Sequence, residues 1–311
     1  LFFHEEKKMS KARWEGVFPA VTTKFKENEE LDFAEMEKHF SFQIENGVHA
    51  LVTCGSLGEA STLSFEEKLD VARTALQVAD KRVPVLVNVS ETRTRTACRF
   101  VEEAAKLGVQ GLMVMPSVLY AADAREAKDN LRAIARAAQL PIMVYNNPVS
   151  YKVDLLPQDF ADLADCEWIV AIKESSDNVR RITDLRNTVG DRYQLFMGVD
   201  DLSFEALAAG ADGLLAGVVV AFPKETVALY KLMKAKRYDE ALKLYRWMMP
   251  LLHLDVSAKL VQNLKLIEAM VGVGNERVRL PRQPLMGAER ERVAAIIQKA
   301  IDTRPDLGAL A

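Results

Sequence analysis

Short apolar, β-rich runs alternate along this chain with amphipathic stretches, from about residue 16 to residue 235. The runs fall at residues 16–22, 50–54, 84–88, 111–115, 142–146, 169–174, 194–198 and 213–217. Between and after them, residues 32–45, 64–78, 95–107, 123–138, 157–163, 178–189, 203–209 and 223–235 read as helices with one apolar face. Strand, helix, strand in strict rotation is the pattern of βα units around a parallel sheet. Eight such units predict a closed (β/α)8 TIM barrel of the α/β class. The runner-up, an open doubly wound sheet, lacks its glycine fingerprint: the first strand ends Pro19-Ala20-Val21-Thr22.

Local chemistry fixes the edges. Ser64 with Glu67 forms a capping box ahead of a periodic run. Gly47, Gly108 and Gly210 each follow a helix, where a left-handed residue ends the last turn. Three further helical stretches, 238–252, 258–271 and 287–301, follow the eighth unit with no Gly/Ser/Pro-rich linker before them. Residues 14–235 are therefore expected to form the barrel, and 236–311 a C-terminal helical extension packed on it. Residues 1–13 are read as an extension or remnant outside the fold.

Composition narrows the function. The 311 residues are 49% hydrophobic and 27% charged with a formal net charge of -3, which gives no electrostatic footprint for nucleic acid or membrane. The longest apolar run, 213–222, is too short to span a bilayer, and the first residues lack the apolar core of a secretory signal. Cys54, Cys98 and Cys166 show no CxxC spacing and read as reduced thiols, which points to the cytoplasm. The four histidines show no metal-ligand spacing, so no metal is expected.

Lys173 is the residue most in need of explanation, because it ends the apolar strand Val170-Ala171-Ile172-Lys173-Glu174. A buried ammonium is costly unless it deprotonates, and a lysine whose pKa falls toward about 7 becomes a nucleophile for ketones. The alternative is a lysine that snorkels to water. In a barrel the strand C-termini carry the site. The second ends in Gly55-Ser56-Leu57-Gly58-Glu59, a turn whose backbone N–H groups suit an anion, or a tight loop without a ligand. The fifth places Tyr145 beside asparagines, a phenol able to carry protons or a core tyrosine with a wet tip. Nest, phenol and neutral amine together suffice for Schiff-base chemistry on a 2-oxo acid.

On these residues the chain resembles the dihydrodipicolinate synthase and N-acetylneuraminate lyase family of lysine-dependent aldolases. The matching pieces are residues 16–22, the G-S-L-G-E block at 55–59 with Thr62-Leu63-Ser64, Val144-Tyr145-Asn146-Asn147-Pro148, Ile172-Lys173-Glu174 and the tail motif at 279–285. The resemblance implies that Lys173 forms the Schiff base and Tyr145 transfers protons. Gly55 and Ser56 would bind the pyruvoyl carboxylate, with Leu57 and Leu215 lining the pocket. It implies a lyase of 2-oxo acids without cofactor or metal, cytoplasmic and homotetrameric.

Three departures set the chain apart within that family. Leu57 stands where synthases carry a second threonine. Val118 stands where they carry a relay tyrosine, and Tyr120, two positions away, is the candidate substrate-binding residue to replace it. Ser150 stands where an arginine holds the second substrate's carboxylate, and Lys152 is the nearest cation. A catabolic substrate, such as a 2-keto-3-deoxy sugar acid or a hydroxy-pyrroline carboxylate, is therefore expected over aspartate semialdehyde. A true dihydrodipicolinate synthase, or a barrel that binds a 2-oxo acid without turnover, are the alternatives.

Overall fold

The computed structural model describes residues 13–116 and 120–310. Eight strands alternate with helices: β1 (Gly16–Pro19), α1 (Phe33–Glu45), β2 (Leu51–Thr53), α2 (Phe65–Ala79), β3 (Val85–Val89), α3 (Thr94–Leu107), β4 (Gly111–Val114), α4 (Ala124–Ala138) and β5 (Ile142–Asn146). Two short helices, α5 (Pro148–Tyr151) and α6 (Pro157–Asp162), precede β6 (Ile169–Glu174), which α7 (Arg180–Val189), β7 (Gln194–Met197), α8 (Ser203–Ala208), β8 (Gly213–Ala216) and α9 (Pro223–Lys234) follow. The strands pair in parallel in the order β1-β8-β7-β6-β5-β4-β3-β2. The ring closes where Ala20 bridges Val52 and Val21 N donates to Val52 O at 3.0 Å. This is a (β/α)8 barrel.

The expected caps hold. Ser64 and Glu67 bond each other's backbone reciprocally, and Gly47, Gly108 and Gly210 have φ of 85°, 90° and 96°. Two expectations shift. The first strand stops at Pro19 because Thr22, Thr23 and Lys24 direct their side chains to Glu268 and to the Gly58 carbonyl, leaving the sheet. The helix α5 has no counterpart in the sequence reading, although Asn147 caps it by accepting from Ser150 N at 2.9 Å and Pro148 occupies its first turn.

Inward side chains fill the barrel. Phe18 and Phe196 meet with ring centroids 4.7 Å apart, packed with Leu86, Met113, Met143 and Leu215. The same apolar cluster continues without a break into α10 (Tyr238–Asp255), α11 (Leu260–Val271) and α12 (Gly287–Asp302) through Leu244, Met248, Leu251, Leu264 and Ile297. Each fully buried Leu or Ile contributes roughly 1.5–3 kcal/mol, so the extension is held by its own burial.

Two buried ion pairs then fix α11 against the strand ends. Lys24 Nζ donates to Glu268 at 2.6 Å and Lys265 Nζ donates to Glu59 at 2.5 Å, all four side chains without solvent exposure. Glu59, the last residue of the glycine turn, also accepts from Arg279 N at 3.1 Å. The turn after β2 is thus positioned by the C-terminal extension.

Candidate active site

Lys173 is the penultimate residue of β6, in register with Tyr145 on β5 and Phe196 on β7. Strand alternation points it inward with Ala171. The side chain is 6% exposed, and among the described residues Nζ makes no ion pair and no hydrogen bond. It stands 3.9 Å from the centroid of the Tyr145 ring. Burial lowers its pKa from 10.5 to about 8, against the opposing fields of Asp255 and Asp200. Roughly a tenth of the amine is then neutral at pH 7, several hundred times the fraction of a free lysine. The lysine neither snorkels to bulk water nor sits locked in an ion pair.

Tyr145 is buried, and its Oη accepts from Asn147 Nδ2 at 3.0 Å. Burial pushes its pKa up to about 12, so the group is a phenol at neutral pH. Its ring meets that of Tyr151 edge-on, with centroids 5.8 Å apart. The Tyr151 hydroxyl makes a short hydrogen bond with Ser56 Oγ. Tyr151, on α5, escaped the sequence reading because its role depends on a one-turn helix that folds it back over Tyr145.

The turn after β2 is compact. Cys54 has φ 59°, Glu59 N donates to Ser56 O at 3.1 Å and Ala60 N to Gly55 O at 3.2 Å. Among the described residues the N–H groups of Gly55, Ser56 and Leu57 have no protein acceptor, which leaves them free for an anion. Ser175 Oγ, next in line after β6, is buried and likewise without a partner.

These groups line one cavity of about 160 Å³: Lys173, Tyr145, Gly55, Ser56, Leu57 and Leu215, with Tyr151, Asn147 and Ser175. Gly198 borders it, and a Cβ there would overlap Lys173 Cε and Ser175 Oγ and stand 2.8 Å from Lys173 Cγ. Tyr120 is not among them. It is 55% exposed and borders a separate depression with Glu91, Thr94 and Asn130. Val118 lies outside the described residues. Lys152 caps α5 from the surface and does not line the cavity, so among the described residues Lys173 is its one cation, beside the acids Asp177 and Asp255. A larger groove of about 890 Å³ crosses α10, α11 and α12 outside the barrel and lacks the amine and the phenol pair.

Cys54 is buried with its thiol pKa pushed up to about 12, which leaves it unreactive. Among the described residues no cluster of His, Cys, Asp and Glu is placed to hold a metal ion, and no helix is long and apolar enough to cross a membrane. The chemistry available is that of an amine that gives up its proton readily, an anion nest and a chain of hydroxyls.

The sequence profile of the dihydrodipicolinate synthetase family matches residues 13–300. A 4-hydroxy-tetrahydrodipicolinate synthase of Geotalea uraniireducens is 32% identical over 289 residues, covering 92% of this chain and 98% of its own. Among solved structures, the 4-hydroxy-tetrahydrodipicolinate synthase of Methylacidiphilum fumariolicum superposes with a TM-score of 0.89 at 27% identity, covering 93% of this chain and 97% of the other. The dihydrodipicolinate synthase of Acinetobacter baumannii, solved with pyruvate, gives 0.88 at 27% identity over 92% and 98% of the two chains. With the barrel, the cavity and the match over nearly its whole length, this chain belongs to the dihydrodipicolinate synthetase family and is a lyase of the aldolase type.

Proposed function

We propose that the protein is a Schiff-base lyase for a 2-oxo acid that carries a single carboxylate. The observation that carries this reading is the buried, unpaired amine of Lys173 at a strand mouth, facing a phenol and opposite unsatisfied backbone N–H groups. The substrate carboxylate is held by the N–H groups of Gly55, Ser56 and Leu57. Lys173 Nζ attacks the adjacent ketone, and Tyr145 with Ser56 and Tyr151 carries protons to and from the carbinolamine. No metal or organic cofactor enters the reading. That the Acinetobacter baumannii relative was solved with pyruvate supports a pyruvoyl head group.

Among the described residues no guanidinium lines the cavity, which favours a catabolic substrate over aspartate semialdehyde, whose own carboxylate would meet Asp177 and no cation besides the Lys173 that forms the Schiff base. A 2-keto-3-deoxy sugar acid and a hydroxy-pyrroline carboxylate both meet that requirement. The second reading, a true 4-hydroxy-tetrahydrodipicolinate synthase, rests on the names of relatives at about 30% identity. A barrel that only binds its ligand is disfavoured by the Tyr151–Ser56 contact, which supplies a hydroxyl chain where Val118 removes one. By family resemblance the protein is proposed to be a cytoplasmic homo-oligomer, a tetramer built from dimers.

Borohydride reduction in the presence of pyruvate and a panel of 2-oxo acids, read by mass spectrometry, tests the reading. A stable adduct on Lys173 is expected with pyruvate, and turnover with a mono-carboxylate member of the panel. An intact protein that gains no adduct sinks it, and condensation of pyruvate with aspartate semialdehyde at a rate above all others establishes the second reading.

A further inference from the structure

The C-terminal extension delivers an acid into the site. Helix α10 ends at Asp255, and that side chain borders the same cavity as Lys173. It lies directly over Gly217, where a Cβ would overlap its carboxyl and stand 2.7 Å from Leu264 Cδ1, so only glycine after β8 lets it in. Behind it sits Asp200, from the turn after β7. Asp200 accepts from Gly217 N at 2.9 and 3.1 Å and from Val218 N at 2.8 Å.

Two carboxyl groups that share a buried space do not both ionise. Asp200 has three backbone N–H bonds to stabilise a carboxylate, and Asp255 has none among the described residues. The proton of the pair therefore resides on Asp255. Burial and the neighbouring Asp200 charge both raise the Asp255 pKa well above the usual carboxylate range, and Lys173 opposes them. The other groups facing the pair are Asp201, which is bonded to His253 Nδ1 at 3.0 Å, the Tyr145 phenol, and on α10 the Tyr245 phenol, which donates to Glu205 at 2.8 Å. Neither carboxyl forms an ion pair with Lys173, as an ionised Asp255 beside an ammonium would.

We propose that Asp255 is the proton donor of this active site, and that the reaction it serves is the elimination of a hydroxyl or amino group from C4 of the Lys173-bound 2-oxo acid. The proposal rests on the Schiff-base reading. Once the iminium at C2 has released a C3 proton, the enamine pair forms the C3=C4 bond as the C4–O or C4–N bond breaks. The leaving group takes the Asp255 proton and departs as water or ammonia, and positive charge returns to the Lys173 nitrogen. Tyr145, whose proton leaves with the carbinolamine hydroxyl as water, takes the C3 proton, and the water that hydrolyses the product iminium returns a proton to Asp255, so the cycle is redox-neutral and balanced. Cleavage of C3–C4 instead requires a base to remove the C4 hydroxyl proton, which a protonated carboxyl cannot do.

The test pairs Asp255→Asn with product analysis of the wild-type protein. Asparagine keeps the size of the side chain and its N–H can still donate to Asp200, but it has no proton to give. Expected are an undiminished pyruvate adduct on Lys173 and a fall in kcat of ~10²-fold or more with a C4-hydroxy or C4-amino 2-oxo acid. Wild-type protein is expected to release water or ammonia from that compound, the two separated by a coupled ammonia assay, and to lose kcat at alkaline pH as Asp255 ionises. Release of pyruvate as the main product, or unchanged turnover in the variant, overturns the proposal. Should the variant fail to fold, the wild-type product analysis still decides. A wild-type protein without any Lys173 adduct overturns the Schiff-base reading as well, which sets that failure apart.

Discussion

Replacing Lys173 by methionine should make the protein more stable at neutral pH, by an amount the burial of the amine sets. The folded-state pKa is about 8 and the ordinary value is 10.5. At about 1.4 kcal/mol per pH unit that drop corresponds to roughly 3 kcal/mol. The sign follows from proton binding. Between the two values the unfolded chain binds the proton that the folded chain has released, so stability rises with pH across that window. Below pH 8 both states are protonated and the folded protein carries the full cost of a buried ammonium. Methionine has a similar length, fits the apolar wall beside Phe196, and has no charge to desolvate. Urea unfolding of both proteins at pH 7 and pH 10 measures the effect. The variant is expected to be more stable by about 3 kcal/mol at pH 7 and by only about 1 kcal/mol at pH 10, since most of the cost is relieved there. A gap that does not narrow with pH, or a variant less stable at pH 7, refutes the depressed pKa and the argument for a nucleophilic amine with it. Activity is expected to vanish in either case.

Three further perturbations reach other parts of the site. Gly198→Ala places a Cβ against Lys173 Cε and Ser175 Oγ, so a displaced amine and a loss of at least ~10²-fold in kcat/KM are expected from steady-state kinetics. Tyr151→Phe keeps the edge-on ring contact with Tyr145 and removes only the hydroxyl bonded to Ser56. Turnover should fall ~10²-fold with stability changed by about 1 kcal/mol, and an unaltered kcat argues against a hydroxyl relay. Lys265→Met strands the buried Glu59 carboxylate beneath the glycine turn and should cost about 3–5 kcal/mol in a denaturant titration. A loss under 1 kcal/mol means that Arg279 and Arg282 hold Glu59 unaided.

Much of the barrel is legible locally because its elements are fixed by neighbours in sequence. The Ser64–Glu67 box and the glycines at 47, 108 and 210 act within a few residues of their own backbone, so pattern reading finds them. The stretch around Lys173 is legible for a related reason, since a charged residue ending an apolar strand is anomalous wherever the strand is placed. The helix α5 is harder to read: its Asn-Pro start is a valid signal, but one turn is too short to show periodicity. Tyr120 is hard to place from sequence because nearness to the fourth strand along the chain does not say which depression its side chain borders.

By itself, the order of apolar and polar residues determined the eight-fold repeat, the placement of the strands along the chain and the lysine and tyrosine they carry, because strand alternation and helix caps are short-range effects. Only the tertiary structure decided that Tyr151 folds onto Ser56 and that Asp255, from a helix 82 residues beyond Lys173 in the chain, enters the cavity against Asp200. Those meetings depend on how α5 and α10 pack over the barrel mouth. The field that lowers or raises each pKa depends in turn on the burial that this packing creates.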